Sequence, residues 1–307
     1  MTQDPLSGDA SALLQAIRSR TALRPRRGFV LTDGAWGTEL QARGLGPGEF
    51  PDLWNLSHPE RVADVARAYV DAGSEIILTN TFGANRVRLG ETGALIDVAE
   101  LNRAGVALSK RAAAGRALVF ASIGPSGKLL MTGDVTPEAL ERAFAEQARA
   151  LAQGGADALV VETMSDLDEA TIAVAAARAT GLPVVASMVF DAGPALDHTM
   201  MGASPEDVAR ALTAAGADVV GANCGQGVAG FVEICRRLHA ATDRPIWIKA
   251  NAGLPEMVDG KAVYRTTADE FARHVPALLA CGASYIGGCC GTSPAFVSAL
   301  DAARSRG

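Results

Sequence analysis

The segment Ser204-Pro-Glu-Asp-Val-Ala-Arg-Ala-Leu-Thr-Ala-Ala-Gly-Ala-Asp-Val-Val-Gly-Ala-Asn223 contains one complete passage from a helix to a strand. Its first four residues are typical of a helix N-terminus, because serine caps the helix and proline favours the first turn. Gly216 lies between the helical part and the run 218–223, where a left-handed C-cap would turn the chain back toward a sheet. That run is apolar nearly throughout, as expected for a strand buried on both faces. The segment therefore predicts an α/β fold.

The same passage recurs along the chain. Similar glycine corners occur at residues 72–74, 154–156 and 281–283, and similar helix starts, each with a capping residue, occur at Ser57 and Thr136. Eight short apolar runs alternate with amphipathic stretches and are predicted to be strands: Phe29–Asp33, Glu75–Asn80, Ala117–Ile123, Ala158–Glu162, Pro183–Val189, Asp218–Asn223, Pro245–Ala250 and Ser284–Gly288. Eight strand–helix units in about 280 residues predict a single-domain (β/α)8 TIM barrel over residues 28–307. Residues 1–27 are predicted to be an N-terminal extension packed outside it.

A doubly wound open sheet is the competing α/β architecture. It would normally have five to seven strands and a glycine-rich phosphate-binding turn. The segment Gly44-Leu-Gly-Pro-Gly48 lacks the G-x-G-x-x-G spacing and does not open an apolar helix. The barrel is therefore the favoured prediction.

Composition excludes several classes of protein. The net charge is −6, only four lysines occur and the arginines are scattered, which does not resemble a nucleic-acid-binding surface. No uninterrupted apolar run is long enough for a membrane span, and residues 1–27 lack the features of a secretory signal. Five cysteines make a poor disulfide framework. We therefore expect a cytoplasmic protein whose cysteines serve metal binding or catalysis, while its oligomeric state is not predicted.

Polar and thiol side chains collect where the predicted strands end, and this edge of a (β/α)8 barrel carries the active site. Cys224 ends the sixth strand, and Cys289 and Cys290 end the eighth, so their sulfurs could share one zinc ion. Three thiolates without a fourth cysteine or histidine would leave a coordination position open, as catalytic zinc sites do. From spacing alone, Cys289 and Cys290 could instead be a buried pair or a vicinal disulfide that acts as a redox switch.

Other residues at these strand ends have simpler interpretations that also stay open. Asp33 could be a turn residue, and Glu162 could pair with an arginine of a helix. Trp36 and Phe82 could pack the barrel mouth without contacting a ligand. Cys235 and Cys281 fall in helical patterns and are predicted to be small core residues.

The motifs together resemble the homocysteine S-methyltransferase family, which includes the homocysteine module of cobalamin-dependent methionine synthase and betaine–homocysteine methyltransferase. The resemblance runs from about Gly28 to the C-terminus. It rests on Asp33-Gly-Ala-Trp-Gly-Thr-Glu39, Leu78-Thr-Asn-Thr-Phe-Gly-Ala84, Val161-Glu-Thr163, Asn223-Cys-Gly225, Asn251-Ala-Gly253 and Gly287-Gly-Cys-Cys-Gly-Thr292. In this order the motifs are highly specific.

The resemblance implies an enzyme that methylates homocysteine to methionine, with zinc on Cys224, Cys289 and Cys290 and the substrate thiolate as the fourth ligand. Asn251 matches a residue that ligates the ion when substrate is absent, and Glu162 matches the residue that holds the substrate ammonium. Asp33 and the amides of Gly34, Ala35 and Trp36 match the amino-acid-binding turn. The further substrate-binding residues implied are Thr163, Asn223 and Phe82.

The sequence indicates the methyl donor less clearly than the acceptor. Gly83 follows Phe82 where betaine-using relatives carry an aromatic residue, and the stretch is more similar to the cobalamin-dependent module. We therefore expect a stand-alone methyltransferase that receives the methyl group from methylcobalamin on a separate corrinoid protein. Betaine, S-methylmethionine and S-adenosylmethionine remain alternative donors, and selenocysteine remains an alternative acceptor. A non-catalytic, thiol-based redox sensor is the alternative from a different functional class.

Overall fold

Eight parallel strands form a barrel in the computed structural model, which describes Gln15, Ile17 and residues 28–92, 95–258 and 261–304. Their bounds are β1 Val30–Leu31, β2 Ile76–Ile77, β3 Leu118–Ile123, β4 Ala158–Met164, β5 Val184–Met188, β6 Val219–Gly227, β7 Ile246–Asn251 and β10 Ala283–Gly288; an antiparallel hairpin of β8 Glu256–Val258 and β9 Lys261–Val263 follows β7. The barrel strands pair in the order β1-β10-β7-β6-β5-β4-β3-β2, and a parallel bridge between Thr32 and Ile76 joins the two ends. The predicted single-domain (β/α)8 TIM barrel is confirmed.

Helices follow the strands and cover the outside of the barrel. The α-helices are Gly37–Ala42, Trp54–Ser57, Pro59–Asp71, Arg86–Gly90, Val98–Ala113, Pro137–Gln153, Leu167–Arg178, Pro205–Ala215, Val228–Ala241, Ala268–Ala272, Val275–Ala280 and Pro294–Arg304, and two 3-10 turns are Pro51–Leu53 and Leu130–Thr132. In the described part of the chain, no helix is both long and apolar enough to cross a bilayer.

Each of the eight predicted strands overlaps an observed one, but β1 and β2 are shorter than predicted. Side chains replace part of the backbone hydrogen bonding between β1 and β2. The Leu31 amide donates to Glu75 Oε2 at 2.9 Å, and the Leu78 amide donates to Asp33 Oδ2 at 2.7 Å. These two carboxylates therefore complete the seam at which the barrel closes.

Two of the three predicted helix caps are confirmed. The Ser204 hydroxyl accepts from the Asp207 amide in a reciprocal capping box, and the Thr136 hydroxyl accepts from the Ala139 amide. The prediction for Ser57 is wrong, because this serine is the last residue of the helix Trp54–Ser57 and donates to the Leu53 carbonyl at 3.1 Å. His58 is the N-cap residue of the next helix and makes no side-chain capping bond.

The glycine corners have the predicted left-handed backbone. Gly73, Gly155, Gly216 and Gly282 have φ of 107°, 91°, 94° and 96°, and each precedes a strand. A side chain is strained in this conformation, so glycine is the residue that lets each helix end close to the sheet. The corners explain why short connections suffice between helix and strand.

The core has two layers. One cluster fills the barrel interior and includes Phe120, Trp247 and Tyr285, and a larger cluster lies between the strands and the helices. Most of the predicted extension at residues 1–27 lies outside the described residues. Ile17, which is described, is buried in the interior cluster.

Candidate active site

Three thiols converge at the C-terminal end of the barrel. Cys224 lies in β6, and Cys289 and Cys290 directly follow β10. Their sulfur atoms all lie within 4.8 Å of one another, and the Cys224 and Cys290 sulfurs are 3.8 Å apart. Two sulfurs held about 2.3 Å from one tetrahedral zinc ion would be separated by about 3.8 Å. The predicted cluster is therefore assembled, and its spacing fits a single metal ion.

The backbone aims these side chains inward. Cys224 has a φ of 62° and lies where the pairing of β6 with β7 shifts between Asn223 and Gly227. Bulges of this kind redirect side chains near active sites. Near the other cysteines, Gly291 has a φ of 79°, whereas Gly287 is needed for space, since a Cβ there would lie 2.0 Å from Thr32 Oγ1.

Asn251 is the last residue of β7, the strand between those that carry the cysteines. Its side chain is close enough to Cys224 to help lower the pKa of that thiol, while its Oδ1 atom is buried without a hydrogen-bond partner among the described residues. An unpaired buried oxygen is costly, and a metal ion beside the thiols would satisfy it. The orphaned oxygen is thus a second observation that fits a metal at this position.

The thiols strongly affect each other's protonation. Hydrogen bonds from Cys289 and Cys290 lower the pKa of Cys224, and the same hydrogen bonds to Cys224 raise the pKa values of Cys289 and Cys290. The protein alone therefore favours one thiolate stabilised by two thiols. Binding of a divalent cation would favour release of the remaining protons.

A cavity of about 480 Å³ opens beside the cluster. Its wall includes aromatic side chains, a carboxylate and an ammonium group besides the thiols: Trp36, Phe50, Phe82, Glu162, Lys249, Cys224, Cys289 and Cys290. The predicted residues Gly34, Ala35 and Thr163 also line it. This volume and this mixture of groups suit a small polar molecule.

Glu162 is the carboxylate that faces this cavity. It lies in β4 and is buried, and its Oε1 accepts from the Ser122 hydroxyl at 2.5 Å. Burial raises the pKa of Glu162, and the nearby Lys249 and Ser122 act in the opposite direction. Among the described residues, no hydrogen bond reaches its second oxygen. Glu162 is therefore placed to accept a hydrogen bond from a bound molecule.

Asp33 is fully buried and does not line the cavity. Its Oδ1 forms an ion pair with Lys249, and its Oδ2 accepts from the Trp36 indole at 2.8 Å and from the Leu78 amide. The Ala35 amide donates to Thr292 Oγ1 at 3.1 Å. These contacts fix the turn after β1 against the loop that carries the cysteines.

Asn223 lies behind the cavity wall. Its Oδ1 accepts from the Thr163 amide at 2.9 Å and from the Ser187 hydroxyl at 2.6 Å, and its Nδ2 donates to the Thr163 hydroxyl at 2.7 Å. Thr163 has a φ of 59°, which is unusual for a β-branched residue. Asn223 therefore holds Thr163 in a strained conformation at the rim of the site.

Sequence reasoning missed several residues that the structure brings to the site, among them Lys249, Ser122 and Thr292. A charged residue inside the apolar run Ile246-Trp-Ile-Lys-Ala250, two positions before Asn251, was a signal for Lys249, because alternate residues of a strand share a face. Ser122 and Thr292 gave no such signal, since their partners are distant in sequence.

The profile of the family described as Homocysteine S-methyltransferase matches residues 30–304. Methionine synthase from Mycobacterium tuberculosis is 33% identical over 296 residues, which cover 89% of this chain and 24% of that protein. Betaine--homocysteine S-methyltransferase 1 from Danio rerio is 28% identical, with 88% of this chain and 72% of that protein covered. The chain spans about a quarter of the mycobacterial protein's length.

Solved structures agree with the sequence comparison. The metallated form of the homocysteine methyltransferase MmuM from Escherichia coli superposes with a TM-score of 0.74 at 26% identity, covering 92% of this chain and 97% of that one. The region that matches the family profile includes the barrel strands and all three clustered cysteines. The chain therefore belongs to the homocysteine S-methyltransferase family.

Proposed function

We propose that the protein transfers a methyl group to the sulfur of homocysteine and so forms methionine. The observation that carries the proposal is the convergence of three cysteine sulfurs beside a cavity that also contains the buried carboxylate of Glu162. A thiol substrate needs activation at its sulfur and recognition of its amino-acid group. The cavity combines the cysteine cluster for the first purpose with the Glu162 carboxylate for the second.

Cys224, Cys289 and Cys290 would hold a zinc ion, with Asn251 as a further ligand in the absence of substrate. The orphaned Oδ1 of Asn251 and the 3.8 Å separation of the Cys224 and Cys290 sulfurs support this assignment. When bound, zinc would keep a substrate thiol in its thiolate form near neutral pH. The similar methyltransferase MmuM from Escherichia coli has been solved in a metallated form, which is consistent with a metal here.

The remaining groups would bind and orient the substrate. We assign the substrate ammonium to Glu162, whose second oxygen is free of hydrogen bonds from the described residues. The turn Gly34–Trp36 and the side chains of Thr163 and Phe82 would shape the rest of the pocket, with Asn223 supporting Thr163. Transfer forms the sulfur–methyl bond as the bond from methyl to the donor breaks, and its electron pair stays with the donor.

Methylcobalamin on a separate corrinoid protein is the methyl donor we propose. The surroundings of Gly83 support a donor other than betaine, because betaine-using relatives carry an aromatic residue at this position. A Cβ on Gly83 would already lie 2.9 Å from Asp52 Oδ2 and 3.3 Å from Arg88 Cδ. An aromatic side chain at this position would displace both groups. The need for reduced cysteines further supports a reducing compartment such as the cytoplasm.

A donor panel tests this function. Zinc-loaded protein would be incubated with homocysteine and either methylcobalamin, betaine, S-methylmethionine or S-adenosylmethionine, and methionine would be quantified. We expect turnover with methylcobalamin and none with betaine. Turnover with betaine alone would overturn the donor assignment, and no product from any donor would overturn the function. Selenocysteine in place of homocysteine tests the choice of acceptor.

A further inference from the structure

Lys249 is a buried ammonium in the wall of the active-site cavity. It lies in β7, and its side chain is 2% exposed. Its Nζ pairs with Asp33 Oδ1, and within the described residues this carboxylate is its only hydrogen-bond partner. A lysine ammonium has three donors, so two of them remain for other groups. Asp33 compensates the charge, but buried donors that lack an acceptor are costly.

Asp33 holds this ammonium in place without facing the cavity itself. The other oxygen of its carboxylate is occupied by the Trp36 indole and the Leu78 amide. Asp33 is fully buried behind the cavity wall, whereas Lys249 is part of that wall. The pair thus presents its ammonium donors to a bound molecule.

Glu162 presents the opposite charge to the same cavity. One of its oxygens accepts from Ser122, and the other has no hydrogen-bond partner within the described residues. Lys249 influences Glu162 electrostatically, yet the two side chains do not form an ion pair with each other. Two separated charges of opposite sign are complementary to the ammonium and carboxylate of a free amino acid.

We propose that Lys249 binds the α-carboxylate of the acceptor amino acid while Glu162 binds its ammonium group. This inference rests on the proposed function, and it adds the determinant by which the site would select an amino-acid thiol over other thiols. Discrimination follows because a thiol without the carboxylate leaves two buried donors of Lys249 without an acceptor, while Asp33 still balances its charge. Loss of a charged hydrogen bond of this kind corresponds to about 10- to 100-fold in affinity.

Binding calorimetry with zinc-loaded protein tests the assignment through three thiols. Homocysteine carries both charged groups, 4-mercaptobutanoate lacks the amine, and 3-aminopropanethiol lacks the carboxylate. We expect Lys249→Met to weaken homocysteine and 4-mercaptobutanoate by about 10- to 100-fold and to leave 3-aminopropanethiol unchanged. Glu162→Gln should weaken homocysteine and 3-aminopropanethiol instead.

A purely structural role for Lys249 predicts a different pattern. In that case Lys249→Met would weaken all three thiols equally, or none of them, and either result would overturn the inference. The double variant Asp33→Asn/Lys249→Met removes both charges of the buried pair and guards against misfolding of the single variant. It should show the same selectivity among the thiols. Failure of the wild-type protein to bind homocysteine would instead contradict the proposed function.

Discussion

Cys224 is the residue on which the thiol cluster depends. It comes from a different strand than Cys289 and Cys290, and its left-handed backbone places its sulfur 3.8 Å from that of Cys290. Cys281 offers a matched comparison, because it is also partly exposed but lies outside the cluster.

We expect Cys224→Ser to reduce bound zinc from about one ion per chain to a small fraction of that, because a hydroxyl is a far weaker zinc ligand than a thiolate. Elemental analysis of the reduced, dialysed protein measures this directly. Cys281→Ser should retain the wild-type zinc content. A Cys224→Ser variant that keeps its zinc would place the metal elsewhere.

Asp52 is a second informative residue, located at the rim of the cavity. It is buried, and its Oδ1 accepts from the Gly83 amide at 2.9 Å. Burial raises the pKa of Asp52 from 3.8 to about 6, despite the opposing effects of this hydrogen bond and of Arg88. The native state therefore binds more protons than the unfolded chain between these two values. The contribution of Asp52 to the stability of the native state consequently falls as pH rises through this window.

This change in the pKa of Asp52 corresponds to a loss of about 3 kcal/mol in the free energy of unfolding between about pH 4 and pH 7. Asp52→Asn should remove this loss, because an amide oxygen can still accept from Gly83 and carries no charge. Urea unfolding of both proteins across this range should show the variant gaining relative stability as pH rises. The exposed Asp64→Asn serves as control, with a constant difference expected. The same constant difference for Asp52→Asn would refute the burial argument.

At the scale of elements, irregularities at strand ends build the site. Pairing shifts occur between Val161 and Met164 in β4 and between Asn223 and Gly227 in β6. Both stretches contain a non-glycine residue with positive φ, Thr163 or Cys224. Strained backbone of this type persists where surrounding contacts enforce it, and here the Asn223 side chain links the two strands.

Helix capping supplies a sharp test at this scale, because two serines with similar sequence contexts behave differently. Ser204→Ala should lower the free energy of unfolding by about 1 kcal/mol, since it removes the acceptor for the Asp207 amide. Ser57→Ala should change it by less than about 0.5 kcal/mol, because Ser57 caps no helix. Chemical denaturation measures both variants. Equal losses would mean that the capping difference has no energetic consequence.

At the scale of the whole molecule, closure of the barrel depends on side chains at the β1–β2 seam. Glu75 accepts from the Leu31 amide and forms an ion pair with Arg304 of the last helix. Arg304 is 5% exposed and is also bound to Asp301. The Glu75 carboxylate therefore ties the first strand to the C-terminal helix.

We expect Glu75→Ala to lower the free energy of unfolding by about 1–3 kcal/mol, because the buried Leu31 amide and Arg304 each lose an acceptor. Asp71→Ala is the matched control. It breaks an ion pair with Arg116 in which both side chains are about half exposed, so a loss below about 1 kcal/mol is expected. Thermal unfolding would compare the two. A larger effect of Asp71→Ala would argue against seam closure by Glu75.

The barrel and the thiol cluster follow from patterns along the chain. Local rules suffice for this, because apolar runs define buried strands, glycine corners define helix ends, and parallel strands bring their C-terminal residues to one rim. These patterns therefore group Cys224, Cys289 and Cys290, and the structure places their sulfurs within 4.8 Å of one another.

The pairing of buried polar side chains inside that rim depends instead on contacts between distant parts of the chain. Lys249 and Asp33 are 216 residues apart, and the Ala35 amide and Thr292 are 257 apart. No local pattern encodes such pairs, since they depend on the stagger between strands that meet only when the barrel closes. Ser57 is a further example. It does not cap the following helix, because it ends the preceding helical turn and its hydroxyl donates to the Leu53 carbonyl. Partners of buried polar groups are set by three-dimensional proximity, which periodicity along the chain does not specify.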